Sequence, residues 1–268
     1  MTFDLNKVEA GLQGTSFAGH LHHLPSVSST STLALEAAQA GERTGVWIAD
    51  EQTAGRGRGG HSWHSVAGDG LYVSALVTPT LPLTTALLIS LAAGLAAKQA
   101  IREAANFEID IRWPNDLIAH GKKCGGILVE TAVTPATDTG GEAALRYAVI
   151  GIGINLNHES FPQEIAALAT SLRIESGFAV NREALLVDLL RALEEELNLL
   201  THHGADGLLA RVAAASTWIR GKRVRVDENG GYTGITAGLD TRGFLLVDGD
   251  DGVRHTVLSG GVREQREN

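Results

Sequence analysis

The chain has 268 residues, 44% of them hydrophobic and 20% charged, with a formal net charge of −9. That is the composition of an ordinary globular protein, long enough for one large domain and a small one, and the acidic balance argues against a general nucleic-acid surface, which phosphates would repel. The single cysteine, Cys124, excludes an intrachain disulfide and fits a reducing compartment.

The opening MTFDLNKVEA lacks the basic start and apolar core of a secretory signal. The longest apolar stretch, Leu81 to Ala97, is interrupted by Pro82, Thr84, Thr85 and Ser90 and reads as a buried helix, not a membrane span. A cytoplasmic protein is expected. In chain order, Thr32 to Ala40 predicts a helix capped by Ser31 or Thr30, and Gly45 to Asp50 a strand. Gln52 to Asp69 is a glycine-crowded loop, and Gly70 to Thr78 a second strand. Leu83 to Ala105 follows as a long alanine- and leucine-rich helix. Ile109 to Trp113 is a strand halted by Pro114, which cannot donate to a ladder. Leu117 to Ala119 and Gly126 to Thr131 pair as a hairpin around His120, Gly121 and Lys122, and Arg146 to Asn155 is a further strand.

Helices return at Gln163 to Ala169, Arg182 to Leu200 and Gly207 to Ala215. The second is amphipathic, with Leu185, Leu186, Leu189, Leu190, Leu193, Leu197 and Leu200 on one face. After Trp218 the pattern changes to short β segments at Arg223–Val226, Tyr232–Leu239, Phe244–Val247 and Val253–Leu258. They predict a small barrel or sandwich. The expected division is residues 1–217 and 218–268, with its boundary between Thr217 and Gly221.

Gly55-Arg56-Gly57-Arg58-Gly59-Gly60 matches the G-x-G-x-x-G dinucleotide pattern letter for letter. That fingerprint has to open a helix. Here His61, Ser62, Trp63 and His64 lead into a strand, so a Rossmann site is not expected, and no phosphate-binding P-loop motif exists. Glycine still lets a backbone approach a ligand, and arginine presents a planar fork to carboxylate or phosphate. By itself the segment fits equally a solvated basic loop or one that orders over an anion.

Three segments narrow this. Arg112-Trp113-Pro114-Asn115-Asp116-Leu117 sets an amide and a carboxylate at a strand end. Lys122-Lys123-Cys124-Gly125-Gly126-Ile127-Leu128-Val129-Glu130 brings a lysine into a strand whose first residues have little or no side chain, a mark of close approach by a ligand. In Gly151-Ile152-Gly153-Ile154-Asn155, alternation puts Gly151, Gly153 and Asn155 on one bare face and the isoleucines on the core face. A lysine beside such a floor suits acyl adenylation, in which a carboxylate and a triphosphate must meet and a fixed ammonium relieves their repulsion. Singly, each segment also fits a solvated turn or a plain hairpin bend.

Together with Ser29-Thr30-Ser31, Gln52-Thr53-Ala54-Gly55-Arg56-Gly57-Arg58-Gly59 and Trp63, and in this order, these segments closely resemble the biotin protein ligases, over about Ser26 to Gly260. The resemblance implies an α/β (α+β) fold, a mixed-sheet catalytic domain of the biotin and lipoate ligase type followed by a small C-terminal SH3-like β-barrel. It implies that the chain uses ATP with Mg²⁺ to make biotinyl-5′-AMP, then moves biotin to a lysine of a biotin carboxyl carrier protein. Ser29, Thr30, Ser31 and Gln52 would hold the biotin head, with Gly57, Gly125 and Gly126 lining its site. Arg56 and Arg58 would close over biotin and the adenylate, and Lys123 would touch carboxylate and phosphate; these three would be the catalytic residues. Trp63, Asn115, Asp116, Gly151, Gly153 and Asn155 would complete the adenylate site. Ser31 stands where the family often has asparagine, and Gly59 where some members carry another arginine.

Because the nucleophile belongs to the substrate, no serine, cysteine or histidine nucleophile is required, and no protein metal site is expected. His61 and His64 do not lie on a metal-binding helix motif. The pairs His22-His23 and His202-His203 read as surface residues, Cys124 as a small buried spacer, and Glu194-Glu195-Glu196 as a solvated helix face. Met1 to Gly19 is too short for the repressor domain some members carry, which with the acidic balance suggests an enzyme without a repressor role and no nucleic-acid partner; from the interrupted apolar stretch, no membrane partner is expected. Monomer and homodimer both stay open, and a lipoate or octanoate ligase of the same fold and a non-catalytic effector-binding module that keeps the ureido contacts are the competing readings.

Overall fold

The structure, a computed structural model, describes residues 3–82, 85–134, 144–228 and 230–265. Its centre is a mixed seven-stranded sheet in the order β1-β2-β3-β7-β6-β5-β4. β1 (Leu21–Val27) and β2 (Gly45–Gln52) run parallel, joined through α2 (Thr30–Ala40), while β3 (Gly70–Val77), β7 (Ala144–Asn155), β6 (Lys122–Thr134), β5 (Asp116–Ala119) and β4 (Asp110–Arg112) continue antiparallel. Parallel neighbours need a crossover, and the helix α2 supplies it.

Both faces of the sheet are covered. Val46, Ile48, Leu71 and Val73 point into the larger core with the buried side of α3 (Ala86–Ala105) and the leucines of α5 (Arg182–His203). The alternate residues Trp47, Leu76 and Val149 pack on Ala34 and Ala38 of α2 across the sheet. All seven leucines predicted on one face of α5 are buried, each contributing roughly 1.5–3 kcal/mol relative to an exposed position.

Several elements differ from expectation. α1 (Leu5–Gly11) and β1 were not foreseen, the latter because His22, His23 and Pro25 break the apolar pattern of an edge strand. The helix predicted from Leu83 is described from Ala86, residues 83 and 84 lying outside the described residues. The segment Gln163 to Ala169 is a series of turns and not a helix, despite its helix-forming composition, because its end pairs with Lys123. β6 begins at Lys122 and not at Gly126, so Gly125 and Gly126 lie within the strand and the bend is made by His120 and Gly121, both at positive φ. Glu196 is no solvated residue: it is 8% exposed and its Oε2 accepts from Arg211 Nη2 at 2.5 Å, tying α5 to α6 (Ala205–Ala215). His23 likewise is half-buried against Asp50, at 2.9 Å.

The C-terminal sheet has five strands, β8 (Arg220–Val226), β9 (Tyr232–Leu239), β10 (Leu245–Gly249), β11 (Arg254–Val257) and β12 (Val262–Glu264), where four were predicted. The fifth, three residues long, is too short to show a period of two. This sheet is pinned to the larger one by Trp113 Nε1, which donates to the Gly243 carbonyl at 2.9 Å. Just before this sheet, Ser216 Oγ donates to the Ile111 carbonyl at 2.6 Å.

Candidate active site

At the C-terminal ends of β1 and β2 the chain builds a compact neutral network. α2 starts at Thr30, not Thr32, and its capping position is Ser29, whose hydroxyl makes no cap bond. Gln52, the last residue of β2, does that work instead. Its Oε1 accepts from the Thr30 backbone N–H at 2.9 Å and from Thr30 Oγ1 at 3.1 Å, satisfying a donor that every helix start leaves open. Gln52 Nε2 donates to Ser65 Oγ at 3.1 Å. Ser74 Oγ sits between Thr30 Oγ1 at 2.8 Å and Ser31 Oγ at 3.0 Å. Ser74 lies opposite Gly151 in the β3–β7 ladder, and a Cβ at Gly151 would come within 2.6 Å of Ser31 Oγ. The buried Ser29 hydroxyl has no hydrogen-bond partner among the described residues.

The other end of the cleft is charged. Lys123 Nζ lies 2.5 Å from Asp116 Oδ1, and Arg112 grips Asp116 Oδ2 through Nη2 at 2.5 Å and Nε at 3.0 Å. Burial alone would raise the Asp116 carboxyl, but the Lys123 ammonium and Arg112 guanidinium outweigh it and hold it below the usual carboxylate range. Asn115 is locked to Ile127, its Nδ2 donating to the Ile127 carbonyl and its own carbonyl accepting from the Ile127 N–H, both at 2.9 Å. Register lines the motifs up across the sheet: Asp116 pairs with Gly126, and Gly126 with Gly153.

On that floor lies the Trp63 indole. A Cβ at Gly153 would sit 2.6 Å from its Cε2 and Nε1, and one at Gly126 would sit 3.3 Å from its Cζ3. Trp63 Nε1 is buried without a partner among the described residues, and Lys123 Nζ stands 5.4 Å from the ring centroid. The Gly55–Gly60 loop folds back on itself, with Gly57 N–H donating to His61 O at 2.7 Å and Trp63 N–H to Gly55 O at 2.8 Å. Gly59 has φ 65, a backbone conformation that an arginine in its place would adopt only under strain. Arg56 Nη2 pairs with Glu130 Oε1 at 2.6 Å. Arg58 lies near Asp116 and near Glu228, in the connection between β8 and β9. A Cβ at Gly260 would fall 3.2 Å from its Nη1.

Thr30, Ser31, Gln52, Arg56, Gly57, Arg58, Trp63, Asn115, Lys123, Gly126, Gly151 and Gly153 thus line one cleft. Ser29, Gly125, Asp116 and Asn155 stand behind it. Gly125 faces the Leu117 side chain and the Gly153 carbonyl. Asn155 Nδ2 turns to the Thr170 carbonyl at 3.0 Å. Sequence reasoning missed Ser74, whose signal was a lone polar residue in the run Leu71 to Val77 opposite a glycine. It also missed Glu228, which carried no local signal, and gave no role to Glu130, the last residue of the Lys122–Glu130 segment. Cys124 is fully buried, with its thiol pushed up to about 12 by burial.

The cleft can therefore hold a neutral, hydrogen-bonding head at one end and bring two anions together at the other. The family profile described as the Biotin/lipoate A/B protein ligase family matches residues 23–155, and the Biotin protein ligase C terminal domain matches residues 220–262. The chain is 34% identical over 253 residues to the bifunctional ligase/repressor BirA of Bacillus spizizenii, across 93% of this chain and 75% of that protein. It is 33% identical over 241 residues to the biotin–[acetyl-CoA-carboxylase] ligase of Mycobacterium tuberculosis, across 87% of this chain and 84% of that one. Among solved structures, the biotin protein ligase of Aquifex aeolicus in complex with biotin and ATP matches with a TM-score of 0.77 and 28% identity, covering 93% of this chain and all, 100%, of that one.

Proposed function

Because the chain belongs to the biotin protein ligase family, we propose that its cleft binds biotin with the ureido ring toward Thr30, Ser31 and Gln52 and the carboxylate toward Lys123. The enzyme is an ATP-dependent biotin–[acetyl-CoA-carboxylase] ligase, a carbon–nitrogen ligase with biotin and ATP as substrates. The observation that carries the proposed orientation is the polarity of the cleft: hydroxyls and one amide at one end, an ammonium held on a carboxylate at the other. A ureido ring needs neutral donors and acceptors, and the Ser29 hydroxyl, buried without a partner among the described residues, is a further group available to it.

In the first half-reaction a biotin carboxylate oxygen attacks the α-phosphorus of ATP. The new O–P bond replaces the α–β bridging bond, and pyrophosphate leaves. Lys123 stands between the two anions and offsets their repulsion, while Arg56 and Arg58 approach from the loop. Trp63 and the glycines 126 and 153 form the adenine side. Mg²⁺ would come with the ATP phosphates and would neutralise part of their charge. Among the described residues no group of three His, Cys, Asp or Glu is placed to hold a metal. Asp116, the carboxylate behind the cleft, has its oxygens on Lys123 and Arg112.

In the second half-reaction a neutral acceptor amine attacks the biotinyl carbonyl carbon. The C–N bond forms, AMP leaves with the bridging oxygen, and the amine proton passes to solvent. The proposed acceptor is a lysine of a biotin carboxyl carrier domain, met in the cytoplasm. No described helix is long and apolar enough to cross a membrane.

Mass spectrometry of purified enzyme with Mg-ATP, biotin and an isolated carrier domain tests this. A biotin adduct on one carrier lysine, with biotinyl-AMP formed when the carrier is omitted, is the expected result. An adduct with lipoate and none with biotin rejects it.

A further inference from the structure

Lys123 stands where its strand changes partner. β7 ends at Asn155, and the last β6 residue paired to it is Gly125, opposite Ile154. Beyond that point the pairing passes to residues 168–170. The Lys123 N–H donates to the Leu168 carbonyl at 2.8 Å, and the Thr170 N–H donates to the Lys123 carbonyl at 3.0 Å, a parallel bridge centred on Ala169. That substitute strand lies in turns, so nothing regular fixes its place.

Glu175, on the short helix α4 (Leu172–Ser176), fixes it. Its Oε1 accepts from the Thr170 hydroxyl, and its Oε2 lies 2.5 Å from His120 Nδ1. His120 is in the β5–β6 bend, two residues from Lys122–Lys123 on the other side. One carboxylate thus ties together the two segments that flank the lysine. Burial would raise its pKa, but the hydrogen bonds from Thr170 and His120 and the nearby Lys122 keep it below the usual range, so it stays an acceptor.

We propose that Glu175 is a positioning residue for the adenylation step, setting the height of the Lys123 ammonium in the cleft by clamping Thr170 and His120 on either side of it. This rests on the reading of Lys123 given above. A displaced ammonium loses its contact with the reacting phosphate, while the neutral end that binds the biotin head lies on other strands and is untouched. Removing Glu175 therefore lowers kcat and leaves the KM for biotin where it was.

The test is biotin-dependent ATP–pyrophosphate exchange by the full-length enzyme, with melting temperature measured on every variant. Glu175→Ala is expected to lower kcat about tenfold with the KM for biotin within about twofold. Glu175→Gln, whose amide still accepts from Thr170 and can donate to His120, recovers most of the loss. Thr170→Val gives the same kcat-only defect if Glu175→Ala proves too unstable to assay. In a Lys123→Ala background, removing Glu175 costs nothing more, because it acts only through the lysine. A Glu175→Ala enzyme with unchanged kcat, or with kcat lost additively to Lys123→Ala, overturns the inference. A Lys123→Ala enzyme with normal exchange instead overturns the reading beneath it, and the two failures are told apart by the single variants.

Discussion

The two ends of the cleft are built on opposite plans. At the neutral end, Thr30, Ser31, Ser74 and Gln52 satisfy one another in a buried network that draws on a helix start and two strands. At the charged end three cations rest on protein carboxylates, Lys123 and Arg112 on Asp116 and Arg56 on Glu130, while Arg58 lies near Asp116 and Glu228. A neutral network is ready for its ligand as it stands. Internal ion pairs must partly exchange their carboxylates for the ligand's anions, so the charged end holds both the catalytic power and the conformational work.

The contrast is broken first at Lys123. Lys123→Ala should lower pyrophosphate exchange by about 10²–10³-fold, as for loss of one preorganised donor, with a much smaller loss of biotin binding by calorimetry, because the head keeps its contacts. A large loss of biotin affinity would mean that the two ends are not separate. Next, Asp116→Asn leaves Lys123 and Arg112 facing a neutral amide and should cost roughly 2 kcal/mol of stability at pH 7, read from urea unfolding. Because the folded-state pKa of Asp116 lies below its unfolded value, its contribution is complete above about pH 4 and is lost as the pH falls through the lowered value. The variant lacks that acid-side decline. At the neutral end, Gly151→Ala drives a Cβ into Ser31 Oγ, and should weaken biotin binding about tenfold, or 1.4 kcal/mol, with the KM for ATP unchanged. Smallest is Glu130→Gln. The half-exposed pair it breaks is worth less than about 1 kcal/mol, and freeing Arg56 should lower the KM for ATP by roughly twofold; a rise instead would show that Glu130 orients the loop for the nucleotide.

What could be read from the sequence followed what a strand ladder can express. Asp116, Gly126 and Gly153 sit in three separated motifs, yet period-two alternation and hairpin register bring them side by side. The leucine face of α5 was legible for the same reason, with a period of 3.6. The unread parts depend on partners far along the chain. Ser74 acts through Ser31, 43 residues away, and Gln52 caps a helix 22 residues before it. Residues 163–169 have strong intrinsic helix formers, but Leu168 and Thr170 are committed to Lys123, and a tertiary pairing overrode local preference. Glu196 reads as one of three solvated glutamates until α6 brings Arg211 across to it.

The position of the Trp63 ring has a practical result. Of the chain's four tryptophans, Trp47, Trp113 and Trp218 are buried, while Trp63 keeps part of its surface open and lines the cleft. The molecule therefore carries an intrinsic optical gauge: a change in its emission on titration reports the traffic of one ring, without a label.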